Sequence, residues 1–258
     1  MPPPPTLVVL AAGRSTRFGR PKQLEPITAD GRTLIDLTLA DAFAAGCGSA
    51  VLVASPWVKE AFREKYGADG RVRLTVQSEA LGTAHAALIG LDGLNGTAVL
   101  VNGDDHYGSG AIGSAVGHAL HGNAAEHALV AYQLANTLSP SGGVNRAVCA
   151  IDGAGKLLST EEVTGLRAEG ILVRDAAGHT WPGNTPVSMN LWVLRPSIRP
   201  LITELAAVAR QGEYGLPEVA RQAIGQGQVF RTIITKAEWT GLTHAADAEQ
   251  VRQRLKGA

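Results

Sequence analysis

Neither sign of charge is in excess in this chain: 23 Lys and Arg balance 23 Asp and Glu over 258 residues. That balance argues against a nucleic-acid-binding surface and against a charged tail. Cysteine is scarce too. Cys47 and Cys149 lie far apart, flanked by small or apolar residues, as buried free thiols in a reducing compartment do. No apolar run approaches the length of a membrane span, and Met1 is followed by Pro2–Pro5 rather than by the apolar core of a signal peptide. The expectation is a cytoplasmic protein with no membrane and no nucleic-acid partner, whose four prolines form a disordered leader. Aromatic residues make up 5% of the chain while glycines number 31, which favours a loop-rich α/β enzyme over a packed helical bundle. With 45% hydrophobic residues the chain can bury a full core. Two common nucleotide signatures are also missing: there is no Gly-x-Gly-x-x-Gly loop and no Gly-Lys-Ser/Thr loop after the first apolar strand.

What is present is concentrated in residues 6–24. The apolar run Leu7–Leu10 breaks into Ala11-Ala12-Gly13 and then into a loop carrying Arg14, Arg17, Arg20 and Lys22. A buried strand that delivers a cationic, glycine-bearing loop suits a polyphosphate: backbone N–H groups wrap it, and Arg17 and Lys22 add charge. Beyond this point strands and helices alternate. Thr33–Ala45 has apolar residues at helical spacing and stops at Gly46 and Gly48. Ala50–Ala54, Val72–Gln77, Ala98–Asn102 and Ala128–Gln133 are expected strands; Val58–Tyr66, Thr83–Leu91 and Ala111–Leu120 are expected helices. This rhythm predicts βαβ units on a mostly parallel central sheet flanked by helices, with ligands beyond the carboxyl ends of the strands. After about residue 140 the pattern turns to β-hairpins (Val144–Ile151 with Lys156–Glu162, Ile171–Arg174 with His179–Trp181) and then to Val187–Leu194, helices at Pro196–Ala209 and Leu216–Ile224, Val229–Ile234 and a closing helix Asp247–Leu255. The organisation expected is a single domain over residues 1–258, with a nucleotide-binding half (6–138) and a β-rich acceptor-binding half (139–258).

Two more segments fall at strand ends. In Gln77-Ser78-Glu79-Ala80-Leu81-Gly82-Thr83 the Gln77 amide offers an acceptor and two donors to a base edge, Gly82 lets backbone pass close to a planar ring, and Thr83 is placed to cap the following helix. His85 has no assigned role. In Asn102-Gly103-Asp104-Asp105 two adjacent carboxylates end a buried strand; they need a partner or a metal there, and Mg²⁺ is the ion that one or two carboxylates hold together with phosphate oxygens and water. An acidic β-turn is the alternative reading.

The segment Ala11-Ala12-Gly13-Arg14-Ser15-Thr16-Arg17-Phe18-Gly19-Arg20-Pro21-Lys22 resembles the signature loop of the nucleotidyltransferases that make NDP-sugars, Ala-Ala-Gly-x-x-Thr-Arg-x-x-x-Pro-Lys. Gln77–Ala86 is similar to that family's Gln-x-x-x-x-Gly-Thr-Ala-x-Ala stretch, and Ser188-Met189-Asn190-Leu191-Trp192 to a Ser-x-Asn-x-Trp strand of a subgroup. The resemblance implies a Rossmann-like fold of the nucleotide-diphospho-sugar transferase type. It implies transfer of NMP from an NTP to a phosphorylated small-molecule acceptor, with release of pyrophosphate. Arg17 would then hold the leaving pyrophosphate, Lys22 would bridge the α-phosphate and the acceptor phosphate, and Asp104 would hold Mg²⁺. Leu10, Ala11, Ala12, Gly13, Gln77, Gly82 and Thr83 would contact the nucleotide; Asp105, Glu162 and Asn190 would face the acceptor. The family's Glu-x-Lys-Pro is reduced here to Glu161-Glu162-Val163, and no Asp occurs in Trp239–Thr243, where many members carry a second metal-binding aspartate. Either Asp247 or Asp105 substitutes, or one metal ligand is missing. A metal-dependent glycosyltransferase and a non-catalytic sensor remain alternatives, a homo-oligomer stays open, and the base and the acceptor are not fixed by the sequence.

Overall fold

A strand buried on both faces sends alternate side chains into two different cores, and the first apolar run does so. In the computed structural model, which describes residues 2–13, 21–139, 142–208, 214–242 and 247–255, β1 spans Thr6–Ala11. Leu7, Val9 and Ala11 enter one core; Val8, Leu10 and the following Ala12 enter the other. α1 (Leu34–Ala45), β2 (Ser49–Ala54), α2 (Lys59–Tyr66), β3 (Val72–Val76), α3 (Gly82–Leu91) and β4 (Ala98–Asn102) follow. α1 starts on a reciprocal cap: the Asp36 N–H donates to Thr33 Oγ1 at 3.2 Å, and the Thr33 N–H donates to the Asp36 carboxylate at 2.7 Å. β1 pairs in parallel with β2 on one side and β4 on the other, and β3 lies beyond β2. The chain therefore winds outward to β3 and returns to the far flank of β1. Such a reversal leaves a crevice at the carboxyl ends of the two strands that flank it, here β1 and β4.

The rest of the chain continues the same sheet. Its elements are β5 (Asp105–His106), α4 (Ser109–His121), β6 (Glu126–Gln133), β7 (Val144–Ile151), β8 (Leu157–Glu169), β9 (Leu172–Arg174), β10 (Thr180–Pro182), β11 (Pro186–Leu194), α5 (Arg199–Val208), α6 (Leu216–Gly225), β12 (Val229–Thr235), β13 (Thr240–Gly241) and α7 (Asp247–Leu255). All strands but β5 and β13 form one eleven-stranded mixed sheet in the order β10-β9-β8-β7-β11-β4-β1-β2-β3, with β6 and β12 branching from β11. Helices α1, α2 and α4 cover one face and α3, α5 and α6 the other. The expected fold class, a mainly parallel centre between helices, is what the structure has. Among the described residues no helix is long and apolar enough to cross a membrane.

Several expectations change in detail. The prolines are not a loose leader at their inner end: Pro5 is buried, and its carbonyl accepts the Gly48 N–H at 3.0 Å. β8 runs seven residues past Glu162, to Glu169, because β9 supplies it with a further ladder. β5 and β13 pair with each other, a contact between segments too short to carry a strand signal of their own. Thr83 does not cap α3, whose preceding residue is Leu81; its hydroxyl instead accepts the Leu216 N–H of α6 at 3.0 Å.

β11 is the joint of the molecule. One of its edges pairs with β6 from Pro186 to Val193. The other is shared, Val187–Ser188 bonding to β7 and Trp192–Leu194 to β4. Between these two stretches the register slips, and Asn190 adopts φ +60°, making it the one described residue other than glycine with a positive φ. Asn is the side chain that tolerates this left-handed conformation best after glycine. The bulge turns β4 and β7 apart, and a fork opens between them. Below it, Arg195 is 6% exposed and donates five hydrogen bonds, to Thr97 Oγ1 and to the carbonyls of His118, Ala119, Asn123 and Glu126. One guanidinium thus fastens β11 to the loops around α4.

Two stability measurements check this. Arg195→Leu should cost about 3 kcal/mol, because it strands several buried carbonyls at once; a denaturation midpoint close to wild type would show that water replaces the guanidinium. Asn190→Gly and Asn190→Ala both remove the Asn190 Oδ1 acceptor of the Trp192 indole N–H. The alanine variant should be the less stable by about 1 kcal/mol, the left-handed penalty; equal stability would mean that the backbone relaxes.

Candidate active site

Beyond the carboxyl ends of β1 and β4 lies a cavity of about 620 Å³, which also reaches into the β4–β7 fork. Among the described residues its cationic group is Lys22, carried on a one-turn 3-10 helix Lys22–Leu24 that starts after Pro21. Lys22 Nζ pairs with the Asp104 carboxylate and donates to the Leu242 carbonyl at 3.0 Å. Leu242 in turn donates its N–H to the Asp104 carbonyl at 2.9 Å. Three segments remote in sequence therefore meet at one charge pair. Gly103 is what lets Asp104 come so close to β1: a Cβ there would lie 2.7 Å from Ala11 Cβ, and its N–H donates to the Leu10 carbonyl at 2.8 Å.

The loop that leads to Lys22 is held at both ends. Gln23, which is buried, donates through Nε2 to the carbonyls of Ala11 and Gly13 at 3.2 and 3.1 Å. Glu25, also buried, is ion-paired with Arg252 of α7 at 2.7 Å, and Arg252 donates to the Pro26 carbonyl as well. Arg17, together with Arg14 and Arg20, lies outside the described residues, so the structure leaves its expected role where the sequence put it.

The opposite wall is built from Gln77, Ala80, Gly82 and Thr83 with Tyr214 and Gly215 of the segment that precedes α6. Gly82 sits at φ +89°, and a Cβ there would lie 2.3 Å from the Tyr214 carbonyl oxygen. The two segments are stitched through backbone: Tyr214 donates to the Leu81 carbonyl at 3.2 Å and accepts the Ala84 N–H at 3.0 Å. The Tyr214 hydroxyl accepts from Gln222 Nε2 at 2.7 Å. Gln77 is 6% exposed. Its amide is expected to offer both donors and an acceptor to a base; in the structure Nε2 faces the Gly82 carbonyl at 3.3 Å and His85 Nδ1 at 3.1 Å. The donors are engaged, and the carbonyl is the half left for a ligand.

The remaining side of the same cavity holds Glu162 on β8 and Asn190 on β11. Leu10, Ala12, Gly13, Lys22, Gln77, Gly82, Thr83, Asp104, Glu162 and Asn190 are thus brought together as the sequence suggested. Two are not. Ala11 belongs to the core on the other face of β1 and lies under Gly103. Asp105 is buried behind the cavity wall: its carboxylate accepts from Asn102 Nδ2 at 2.9 Å and lies 3.3 Å from the Tyr107 hydroxyl, which also bonds to the Met189 carbonyl. Burial, and then the neighbouring charge of Asp104, push the Asp105 carboxyl well above the usual carboxylate range. It buttresses the end of β4 rather than facing an acceptor. Asp247 is elsewhere too, on a second cavity of about 210 Å³ lined also by Arg146 and Trp239. Sequence reasoning missed Gln23, Asn102, Tyr214 and Gly215. Gln23 adjoins the loop lysine and was within reach of the motif; Tyr214 and Gly215 have no local signal, because only the packing of α6 against α3 brings them in.

The model of the MobA-like NTP transferase domain family matches residues 7–158, which include the loop, the Gln77–Thr83 segment and Asp104 but neither Glu162 nor Asn190. Among curated proteins the chain is 40% identical over 102 residues to the bifunctional protein GlmU of Pelobacter propionicus, covering 38% of this chain and 22% of that one. It is 37% identical over 102 residues to GlmU of Trichlorobacter lovleyi, with 38% and 22% covered. The chain thus spans about a fifth of the length of these relatives. The solved inositol-1-phosphate CTP transferase from T. maritima superposes with a TM-score of 0.72 over 98% of this chain and 96% of its own, at 15% identity; it has the same fold. With well over half of its length matched by that model, the chain belongs to the MobA-like NTP transferase domain family.

Proposed function

We propose that this nucleotidyltransferase joins the NMP of an NTP to the phosphate of a hydroxyl-bearing small molecule, a sugar or polyol phosphate, and releases pyrophosphate. One observation carries the reading. Lys22, Asp104 and the Gln77–Gly82 segment come from three separate stretches that follow β1, β4 and β3, and share a cavity with Glu162 and Asn190. A charged, phosphate-sized end and a polar, carboxylate-and-amide end lie side by side, as a reaction between two phosphates of different molecules requires.

The chemistry follows from that layout. An oxygen of the acceptor phosphate attacks the α-phosphorus in line; the bond from the α-phosphorus to the bridging oxygen breaks, and pyrophosphate leaves with the electron pair. The nucleophile is already anionic, so no general base is needed, and alignment and charge stabilisation carry the rate. Lys22, on the cavity wall, would contact both the α-phosphate and the incoming phosphate. Arg17, by its place in the loop, would hold the departing side. Gln77 and Gly82 would read the base, and Glu162 and Asn190 would bind acceptor hydroxyls.

A divalent cation fits the donor set. Asp104 is a carboxylate on the cavity wall, and among the described residues no group of three or more His, Cys, Asp or Glu side chains converges. Mg²⁺ is content with one or two carboxylates when phosphate oxygens and water complete its shell. Bound there it would neutralise charge between the phosphates. Lys22 and Asp104 now satisfy each other; a phosphate at one and a cation at the other satisfy the same two charges separately.

The test is pyrophosphate release from each of the four NTPs against a panel of sugar and polyol phosphates. Release with at least one pair is expected; silence across the panel would overturn the reading. Lys22→Ala should lower kcat about 10²–10³-fold while the chain still folds, since one transition-state charge contact is worth that much; an unaltered kcat at saturating NTP would remove Lys22 from the site. Asp104→Asn should abolish turnover, and chelation of the wild type should do so reversibly on adding Mg²⁺ back. A chelator-insensitive enzyme would defeat the metal assignment.

A further inference from the structure

We propose that His85 is a specificity-determining positioning residue, which holds the Gln77 amide with its carbonyl toward the nucleobase. The inference rests on the reading of Gln77 as the base-contacting side chain. His85 itself does not border the cavity. It lies in the first turn of α3, and its ring stands behind Gln77.

The argument is one of donors and acceptors. The Gln77 amide atom near Gly82 lies 3.3 Å from a backbone carbonyl. That oxygen can only accept, so the amide atom facing it must be the nitrogen, whichever way the amide is drawn. The same nitrogen lies 3.1 Å from His85 Nδ1. An amide nitrogen has two hydrogens and no usable lone pair, so Nδ1 must accept. The ring is thereby set as the neutral tautomer with its proton on Nε2. Two acceptors, one from the backbone and one from a side chain, take both amide hydrogens. Rotation about the last bond of Gln77 would bring its oxygen against the Gly82 carbonyl. The oxygen is left as the one polar atom of this side chain that can meet a ligand, and a base edge that offers an N–H at that place is selected over one that offers a carbonyl. Gly82 alone would leave one amide hydrogen unpaired, at a side chain that is almost wholly buried; His85 removes the incentive for the amide to turn.

The experiment measures Kd of the full chain, with Mg²⁺ present, for ATP, CTP, GTP and UTP separately. The variants are His85→Leu, His85→Asn, Gln77→Ala and the double variant Gln77→Ala/His85→Leu. Wild type should prefer one NTP. His85→Leu should narrow the ratio between the best and the next NTP about tenfold, the worth of one hydrogen bond. His85→Asn, whose Oδ1 can accept in place of Nδ1, should recover most of the preference. The double variant should discriminate no less than Gln77→Ala alone. If Gln77→Ala narrows the ratio and His85→Leu does not, His85 does not set the amide and the base reading stands. If Gln77→Ala leaves the ratio untouched, or if wild type shows no preference, the base reading itself falls. Equal weakening for all four NTPs in both His85 variants would assign the residue to the fold alone. Imidazole ¹⁵N shifts give a readout independent of binding: an unprotonated Nδ1 is expected in wild type, and a ring protonated at Nδ1 would overturn the proposal.

Discussion

The contact on which the site depends is the pairing of Lys22 with Asp104, two charges 82 residues apart in sequence. Neither residue could be held there by its own neighbourhood. Lys22 needs the loop stapled by Gln23 at Ala11 and Gly13 and the following turn clamped by Glu25 and Arg252. Asp104 needs β4 laid beside β1, a Gly103 slim enough to touch Ala11, and Leu242 bonded to its backbone. The Leu242 carbonyl then returns to Lys22. Loop, strand end and late segment close a ring, so displacing one member loosens the other two.

Much of this was legible because buried parallel strands are written as unbroken apolar runs. Leu7–Leu10 and Ala98–Asn102 could be nothing else, and the polar residues that interrupt them mark the ligand edge. The cationic loop and the Gly103-Asp104 turn are local signals of that kind, and they fall at the winding reversal. What stayed hidden depends on partners far along the chain. Thr83 looked like a cap for its own helix because the sequence places it there; the structure uses its hydroxyl on α6, 133 residues away. Asp105 looked free to face an acceptor beside Asp104, and only the Asn102 and Tyr107 side chains behind it show that its carboxylate turns inward. The left-handed Asn190 has no periodicity to announce it. Tyr214 reaches the cavity solely because α6 packs on α3.

The two ends of the cavity are built on different principles. The side with Lys22, Gln77 and Gly82 hangs from parallel strands whose tips carry loops. The side with Glu162 is an antiparallel extension, β7 to β10, in which Glu162 is one residue of a long hairpin ladder. Alternate side chains of such a ladder share a face and can be exchanged without disturbing the loops at the strand tips. The two sides of the cavity are therefore built by separate elements that meet at Asn190.

The shared edges of β11 have a consequence for what counts as a unit. The family match ends at residue 158, yet β11 begins at Pro186. Without it β4 has a bare edge, and β6 and β7 have no sheet bond to the β1–β4 block at all. A polypeptide cut at the end of the matched stretch would carry Lys22, the Gln77–Thr83 segment and Asp104, but would expose hydrogen-bonding edges that invite strand pairing between molecules. The stretch that the family model matches is thus shorter than the part whose sheet is complete, which includes a later strand that no motif in that stretch foretells.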